Sequence, residues 1–307
     1  MCHGLRSPQV NVAAIDLGTN TTRLLVGRVE DGRIEELHRE TRITRLGEGV
    51  DARRRLLPVP IARVRNALSD YRRTAESLGA VRTLLVATSA VRDAENGEAF
   101  LGEIEWSYGF VARLLSGDEE AELTRRGVGD LGAATLLVDI GGGSTELVLD
   151  RFQTSLPLGS VRFNERHGED VDASVEAARS LLPELRPEDA VGVAATITSL
   201  AALDLGLEEY DRTRVHGHVL TRDGARVQLE RLAALPLEER RRVPALDPER
   251  APVIVAGAAI LVTILDAYRL ESIRVSERDL LDGAALAAAE LPEPEEGAAP
   301  PGAYTCC

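Results

Sequence analysis

Leu136-Leu137-Val138-Asp139-Ile140-Gly141-Gly142-Gly143-Ser144-Thr145-Glu146-Leu147-Val148-Leu149 reads as a buried strand ending in a carboxylate, a turn almost bare of side chains, and a second apolar strand returning alongside. Three successive glycines let the backbone take positive φ and bring its N–H groups close to a bulky ligand, while Ser144 and Thr145 add hydroxyl donors. Such a turn suits phosphate oxygens. Asp139, at a strand end beside it, is a hard oxygen ligand placed where a Mg²⁺ bridging phosphates would sit. Taken alone, the stretch reads equally well as a glycine-rich hairpin that only turns.

A second copy changes that balance. Val12-Ala13-Ala14-Ile15-Asp16-Leu17-Gly18-Thr19-Asn20-Thr21-Thr22-Arg23-Leu24-Leu25-Val26 has the same order of an apolar run, Asp, one apolar residue, Gly, small polar residues and an apolar run. Asp16, Gly18, Thr22 and Leu24 precede Asp139, Gly141, Thr145 and Leu147 by a constant 123 positions. The same register across strand, turn and strand predicts two homologous domains facing each other across a cleft, each gripping phosphate from its own side.

Paired hairpins of this kind resemble those of the acetate kinase, sugar kinase, heat-shock chaperone and actin superfamily. The spelling is narrower. Ala14–Thr21, Thr88-Ser89-Ala90-Val91-Arg92-Asp93-Ala94, Ser116-Gly117-Asp118-Glu119-Glu120-Ala121-Glu122-Leu123 and Val138–Glu146 together resemble the exopolyphosphatase and guanosine pentaphosphate phosphohydrolase family, from about Val10 to Leu286. The resemblance implies an α/β fold of two repeated actin-like (ribonuclease H-like) domains with mixed sheets facing a central cleft. The expected division is residues 8–124 and 125–290, the last helix packing back on the first domain, with a disordered tail over 291–307. Residues 125–133, with Gly127, Gly129 and Gly132, and 276–283 are the expected hinges.

The length of 307 residues suits two domains. Aromatics are only 3%, so the core must be built from Leu, Val, Ala and Ile. No apolar run approaches the roughly 20 residues of a bilayer crossing, and the N-terminus shows no signal-like region, so a cytoplasmic protein without a membrane partner is expected. Cys2, Cys306 and Cys307 form neither a disulfide framework nor a metal spacing. All 36 Lys+Arg residues are Arg, which excludes a Walker lysine and any lysine nucleophile. A net charge of −14 argues against nucleic acid. It leaves room for a small polyanion, which responds to arginines and loop amides locally.

Ser116 followed by Glu119 forms the sequence of a capping box opening a helix. Glu119 then folds back on the helix start, and Glu120, one position on, projects elsewhere. The family resemblance implies that Glu120 is the catalytic base that deprotonates the attacking water. It also implies that Arg92 is a substrate-phosphate ligand and that Glu146, which stands where the first repeat has Arg23, is a second catalytic acid residue. Gly18, Thr19, Asn20 and Thr21 in the first hairpin and Gly141, Gly142, Gly143, Ser144 and Thr145 in the second are the expected phosphate-binding residues. Asp139 and Asp16 are the expected ligands of Mg²⁺ or Mn²⁺.

The resemblance further implies hydrolysis of the terminal phosphoanhydride of inorganic polyphosphate, with guanosine pentaphosphate as the alternative substrate and a homodimer as the expected assembly. A small-molecule kinase and a non-catalytic phosphate or nucleotide sensor compete from other classes. The segment Glu249–Leu261 lies where kinases of the superfamily bind adenosine, and in this family it is largely a packing helix. The chain departs from the family at Ala194-Ala195, where Gly usually precedes Thr196, and at Asp279, where Gly is common.

Overall fold

The computed structural model describes residues 10–292. The readings of residues 1–9 as a frayed start and of the tail beyond Pro292, with all three cysteines, fall outside them. The described residues divide into two compact units, 10–116 with 280–292, and 117–279.

The first unit runs β1 (Val10–Leu17), β2 (Thr21–Glu30), β3 (Arg33–Ile43), α1 (Val50–Arg53), α2 (Pro58–Ser77), β4 (Arg82–Ala87), α3 (Ser89–Arg92), α4 (Gly97–Tyr108) and β5 (Val111–Leu114). The second runs α5 (Gly117–Val128), β6 (Thr135–Ile140), β7 (Thr145–Leu149), β8 (Phe152–Leu156), α6 (Ser160–His167), α7 (Val171–Leu181), β9 (Asp189–Val193), α8 (Ala194–Asp204), α9 (Arg212–Val215), β10 (Val219–Thr221), α10 (Arg222–Ala233), α11 (Leu237–Arg240), α12 (Ile254–Ala267) and β11 (Ser272–Val275). α13 (Leu280–Ala289) then returns to the first unit.

The repeat seen in the sequence is a repeat of topology. The first sheet has the order β3-β2-β1-β4-β5, and the second has β8-β7-β6-β9-β11 with β10 added at its edge. In both, the two hairpins pair antiparallel and the central strand pairs parallel with the strand that follows a helix. Register carries the equivalence to single residues: Asp16 stands opposite Arg23, and Asp139 stands opposite Glu146.

Alternation along the central strands shows what covers them. In β6, Leu136, Val138 and Ile140 join the large core with α8 and α12, whereas Leu137 joins Ala121 of α5, Val148, Val191 and Val193 on the other face. Asp139 shares the α5 face by parity. In β1, Ala13, Ile15 and Leu17 pack with Val64, Leu68 and Tyr71 of α2, and α13 packs against β1, β2 and β4. Arg39 Nη2 donates to Asp282 at 2.9 Å and Arg82 Nη1 donates to the Ala289 carbonyl, fastening α13 at both ends.

This pattern moves the domain division expected at 124/125 to Ser116/Gly117. α5 belongs with the second unit because it packs against β7 and β8, and α13 covers the corresponding face of the first sheet. The expected hinge at 125–133 is therefore helical over Arg125–Val128, with Gly127 buried inside α5.

Ala194 opens α8 at φ 66, a left-handed value that costs an L-residue about 1–2 kcal/mol. The departure from glycine noted in the sequence thus falls beside a strained backbone position. Ala194→Gly is expected to raise unfolding stability by roughly 0.5–1 kcal/mol, read as a higher urea midpoint at unchanged m-value. An unchanged or lower midpoint rejects the strain argument.

Candidate active site

Helix α5 presents Glu120, Ala121, Thr124 and Gly127 as its buried stripe, the i, i+1, i+4, i+7 spacing of one helical face. Glu120 is 6% exposed and its neighbour Glu119 is exposed, which is the division of labour that the capping-box spacing predicts. One turn on from Glu120, Thr124 Oγ1 donates to Asp139 Oδ2 at 3.3 Å. At the other end of the helix start, the α-carbon of Gly117 lies against β8 so closely that a Cβ would sit 2.3 Å from Ser155 Cβ. Ser155 Oγ in turn donates to Glu146 Oε1 at 2.6 Å.

The second unit therefore brings Glu120, Asp139 and Glu146 onto one face of its sheet, with Asp139 held by Thr124 and Glu146 by Ser155. Asp139 and Glu146 are directly opposite in the hairpin, so their side chains emerge on the same side, and both are buried. Two carboxylates in that relation are a donor set of the kind that holds a divalent cation. Mg²⁺ is commonly held by one or two carboxylates plus substrate phosphates, and not by a closed protein cage. Among the described residues no group of three or more His, Cys, Asp or Glu forms such a cage, and the carboxylate pair fits the open type.

In the first unit the corresponding pair has opposite charges. Arg23 donates through Nε at 2.9 Å to Asp16 Oδ2 and lies with Nη2 2.7 Å from the same oxygen. A guanidinium thus occupies the place that Glu146 has in the second unit, and both of these contacts go to Asp16 Oδ2.

The glycine turn departs from expectation in how it uses its glycines. None of Gly141, Gly142 and Gly143 has positive φ. The close approach is required of Gly159: a Cβ there would lie 2.3 Å from the Gly142 carbonyl oxygen and 2.5 Å from the carbonyl carbons of Gly142 and Gly143. The turn is packed backbone to backbone against the head of α6. Ser160 N–H donates to the Gly141 carbonyl at 3.0 Å, and the N–H groups of Val161 and Arg162 donate to the Gly142 carbonyl at 2.8 and 3.1 Å. Arg162 Nε donates to the Gly143 carbonyl at 2.7 Å. Because a trans peptide sets its N–H opposite its C=O, the N–H groups of Gly142, Gly143 and Ser144 point away from α6 as a fan. Successive N–H groups turned to one side form an anion-binding concavity.

The first hairpin is built alike. Gly18 N–H donates to Thr21 O at 2.9 Å, as Gly141 N–H does to Ser144 O at 3.0 Å. Thr44 and Arg45 N–H hold the Asn20 carbonyl, and Gly47 N–H holds that of Thr19. Thr19 Oγ1 lies 2.8 Å from Ser89 Oγ, which ties the turn to the start of α3. Arg92, at the end of α3, donates through Nη1 to the Leu115 carbonyl at 2.7 Å, so part of its guanidinium secures the chain leaving β5.

Thr145 corrects another expectation. It is fully buried and its Oγ1 donates to the Leu158 carbonyl at 2.6 Å, so its hydroxyl supports the loop and is not a phosphate donor. Its counterpart Thr22 pairs with the Thr44 hydroxyl in the same way. Thr124 and Ser155 are supports that the sequence reading missed. Thr124 was within reach of helical spacing, four residues past Glu120, whereas Ser155 depends on the β7/β8 register.

α12 is buried continuously from Ile254 to Leu265, and a Cβ on Gly257 would meet Thr196 Cγ2 at 2.6 Å and Ser160 Cβ at 3.2 Å. It is a packing helix, as the resemblance implied.

Two sheets of one topology, each ending its central strand in an aspartate beside a turn of outward N–H groups, define a protein of the actin-like fold class fitted to phosphate. The chain belongs to the Ppx/GppA phosphatase family, which residues 25–290 match. Exopolyphosphatase 2 of Mycobacterium tuberculosis (strain CDC 1551 / Oshkosh) is 38% identical over 91% of this chain and 98% of its own length. The guanosine-5'-triphosphate,3'-diphosphate pyrophosphatase of Photobacterium profundum is 28% identical over 88% of this chain and 58% of its own. Among solved structures, an exopolyphosphatase-like protein superposes with a TM-score of 0.84 at 32% identity, covering 92% of this chain and 99% of that one. The Aquifex aeolicus PPX-GPPA enzyme does so with 0.77 at 30% identity, covering 91% and 100%.

Proposed function

We propose that this protein is an exopolyphosphatase, hydrolysing the terminal phosphoanhydride of inorganic polyphosphate and releasing orthophosphate one unit at a time. The observation that carries the reading is the buried Glu120 on the helix whose next turn holds Asp139, beside a turn that fans three N–H groups outward. Similarity along nearly the whole length of Exopolyphosphatase 2 favours polyphosphate over guanosine pentaphosphate.

In this mechanism Glu120 orients a water and accepts its proton as the water oxygen attacks the terminal phosphorus. The bond to the bridging oxygen breaks, and the shortened chain leaves with that oxygen. The N–H groups of Gly142, Gly143 and Ser144 stabilise the charge on the transferred phosphoryl oxygens, where such donors act most strongly. Asp139 and Glu146 would hold Mg²⁺ or Mn²⁺, which supplies charge neutralisation on the phosphates when bound. Arg92 donates through Nη1 to the Leu115 carbonyl, and the resemblance assigns its guanidinium to phosphate. Among the described residues no helix is long and apolar enough to cross a membrane. A cytoplasmic homodimer acting without nucleic acid completes the reading.

Phosphate release from polyphosphate of defined length, set against guanosine pentaphosphate and against ATP with sugars, tests it. Release from polyphosphate alone supports the proposal; faster release from guanosine pentaphosphate replaces it with the other substrate, and none from either leaves a sensor. Asp139→Asn is expected to raise the Mg²⁺ concentration needed for half-maximal rate, and full activity in excess chelator rejects the metal. Glu119→Gln is expected to cost helix stability on the order of 1 kcal/mol or less, with turnover kept.

A further inference from the structure

We propose that Arg162 is a positioning residue for phosphate: its guanidinium, bound to the Gly143 carbonyl, fixes and polarises the peptide whose N–H belongs to Ser144. This rests on the reading of the second glycine turn as a phosphate grip.

Three donors at the head of α6 and the Arg162 side chain converge on three successive carbonyls. Ser160 Oγ adds a longer contact to the Gly141 carbonyl at 3.3 Å. The first two carbonyls are held by neutral amides, and the third is held at 2.7 Å by a charged group. A hydrogen bond to a charged donor is shorter and roughly twice as strong as a neutral one. A peptide polarised at its oxygen becomes a better donor at its nitrogen, because hydrogen bonds in a chain reinforce one another. The helix head therefore acts on the far side of the turn, through the loop peptides, and its own amides are spent on carbonyls.

The first unit supplies the contrast. Asn20, the match of Gly143, has its carbonyl held by the backbone amides of Thr44 and Arg45, both neutral donors. In the second unit a charged donor holds the turn that carries the Asp139–Glu146 pair. Arg162 itself need not reach the substrate for this, since the Gly143–Ser144 peptide stands between.

The test uses the full-length protein with Arg162→Ala, Arg162→Gln and Arg162→Lys. With tripolyphosphate, kcat/KM of Arg162→Ala is expected to fall by on the order of 10–10²-fold, the range for a loop displaced by a fraction of an ångström or a weakened oxyanion donor. Millimolar guanidinium should restore part of the loss in Arg162→Ala, and equal concentrations of sodium chloride should not. Arg162→Lys keeps the charge without the planar Nε donor and should recover less than guanidinium does. Wild-type kcat/KM in Arg162→Ala, or a loss that guanidinium leaves untouched, overturns the proposal.

The second readout does not depend on turnover. The Ser144 amide resonance is followed while orthophosphate with Mg²⁺ is added. A shift in the wild-type protein that is lost in Arg162→Ala and regained with guanidinium supports the role, and a wild-type Ser144 amide that does not respond overturns it. If the wild-type protein responds in this way yet releases no phosphate from polyphosphate, the proposed function fails and the role of Arg162 stands.

Discussion

Glu120→Gln is expected to keep the fold and polyphosphate binding while turnover drops by about 10²–10⁴, the usual contribution of a positioned general base. Gln has nearly the same shape and can fill the same buried position on α5, so packing against Ala121 and the sheet should persist. What it lacks is the capacity to take a proton from water. Thr124, one turn on, still holds Asp139, so the metal requirement should stay near that of the wild-type protein. The measurement is single-turnover phosphate release together with substrate affinity from a binding titration. Turnover within a few-fold of wild type ends the assignment of Glu120, and a loss of affinity of the same size as the loss of rate makes it a binding residue.

Much of the fold was legible because its evidence is local. Asp16 and Asp139 each sit at a fixed place in an apolar–turn–apolar pattern, and the structure gives both the same sheet order and cross-strand register. Glu120 could be told from Glu119 because helix geometry assigns neighbours to different faces. The domain boundary was not legible. It depends on which sheet α5 covers, and an apolar stripe such as Ala121 says only that something is covered; the return of the last helix to the first domain was expected and is found. The turn glycines were misread for a related reason. Positive φ was the expected use of Gly141, Gly142 and Gly143, and their backbone does not take it; the close approach is instead required of Gly159, eighteen residues downstream of Gly141. Ser155 was hidden likewise, since its partner Glu146 is set by the β7/β8 pairing and not by spacing along one element.

Gly159→Ala is expected to be the most damaging single methyl group in the second unit's site. Gly159 has φ −144 and ψ 147, extended backbone open to any residue, so the substitution carries no conformational penalty of its own. The cost is overlap. A Cβ at 2.3 Å from the Gly142 oxygen and 2.5 Å from two carbonyl carbons meets only backbone, which has no flexible end to swing aside. Either the turn or the head of α6 must move, and overpacking of this kind costs roughly 1–3 kcal/mol. Movement of the turn also breaks the geometry that Val161 N–H, Arg162 N–H and Arg162 Nε impose on the Gly142 and Gly143 carbonyls. The N–H fan then misses the phosphoryl oxygens, and a displacement near 1 Å can lower the rate by about 10²-fold. Gly168→Ala is the control: Gly168 has φ 61 and ψ −126, a backbone conformation that favours glycine, with open space around its Cβ position, so it should lose about 1–3 kcal/mol of stability through backbone strain and keep its activity. The check is urea unfolding of both variants beside kcat/KM on tripolyphosphate. Equal activity in the two, at whatever stability, would show that contact between Gly159 and the turn does not set the site.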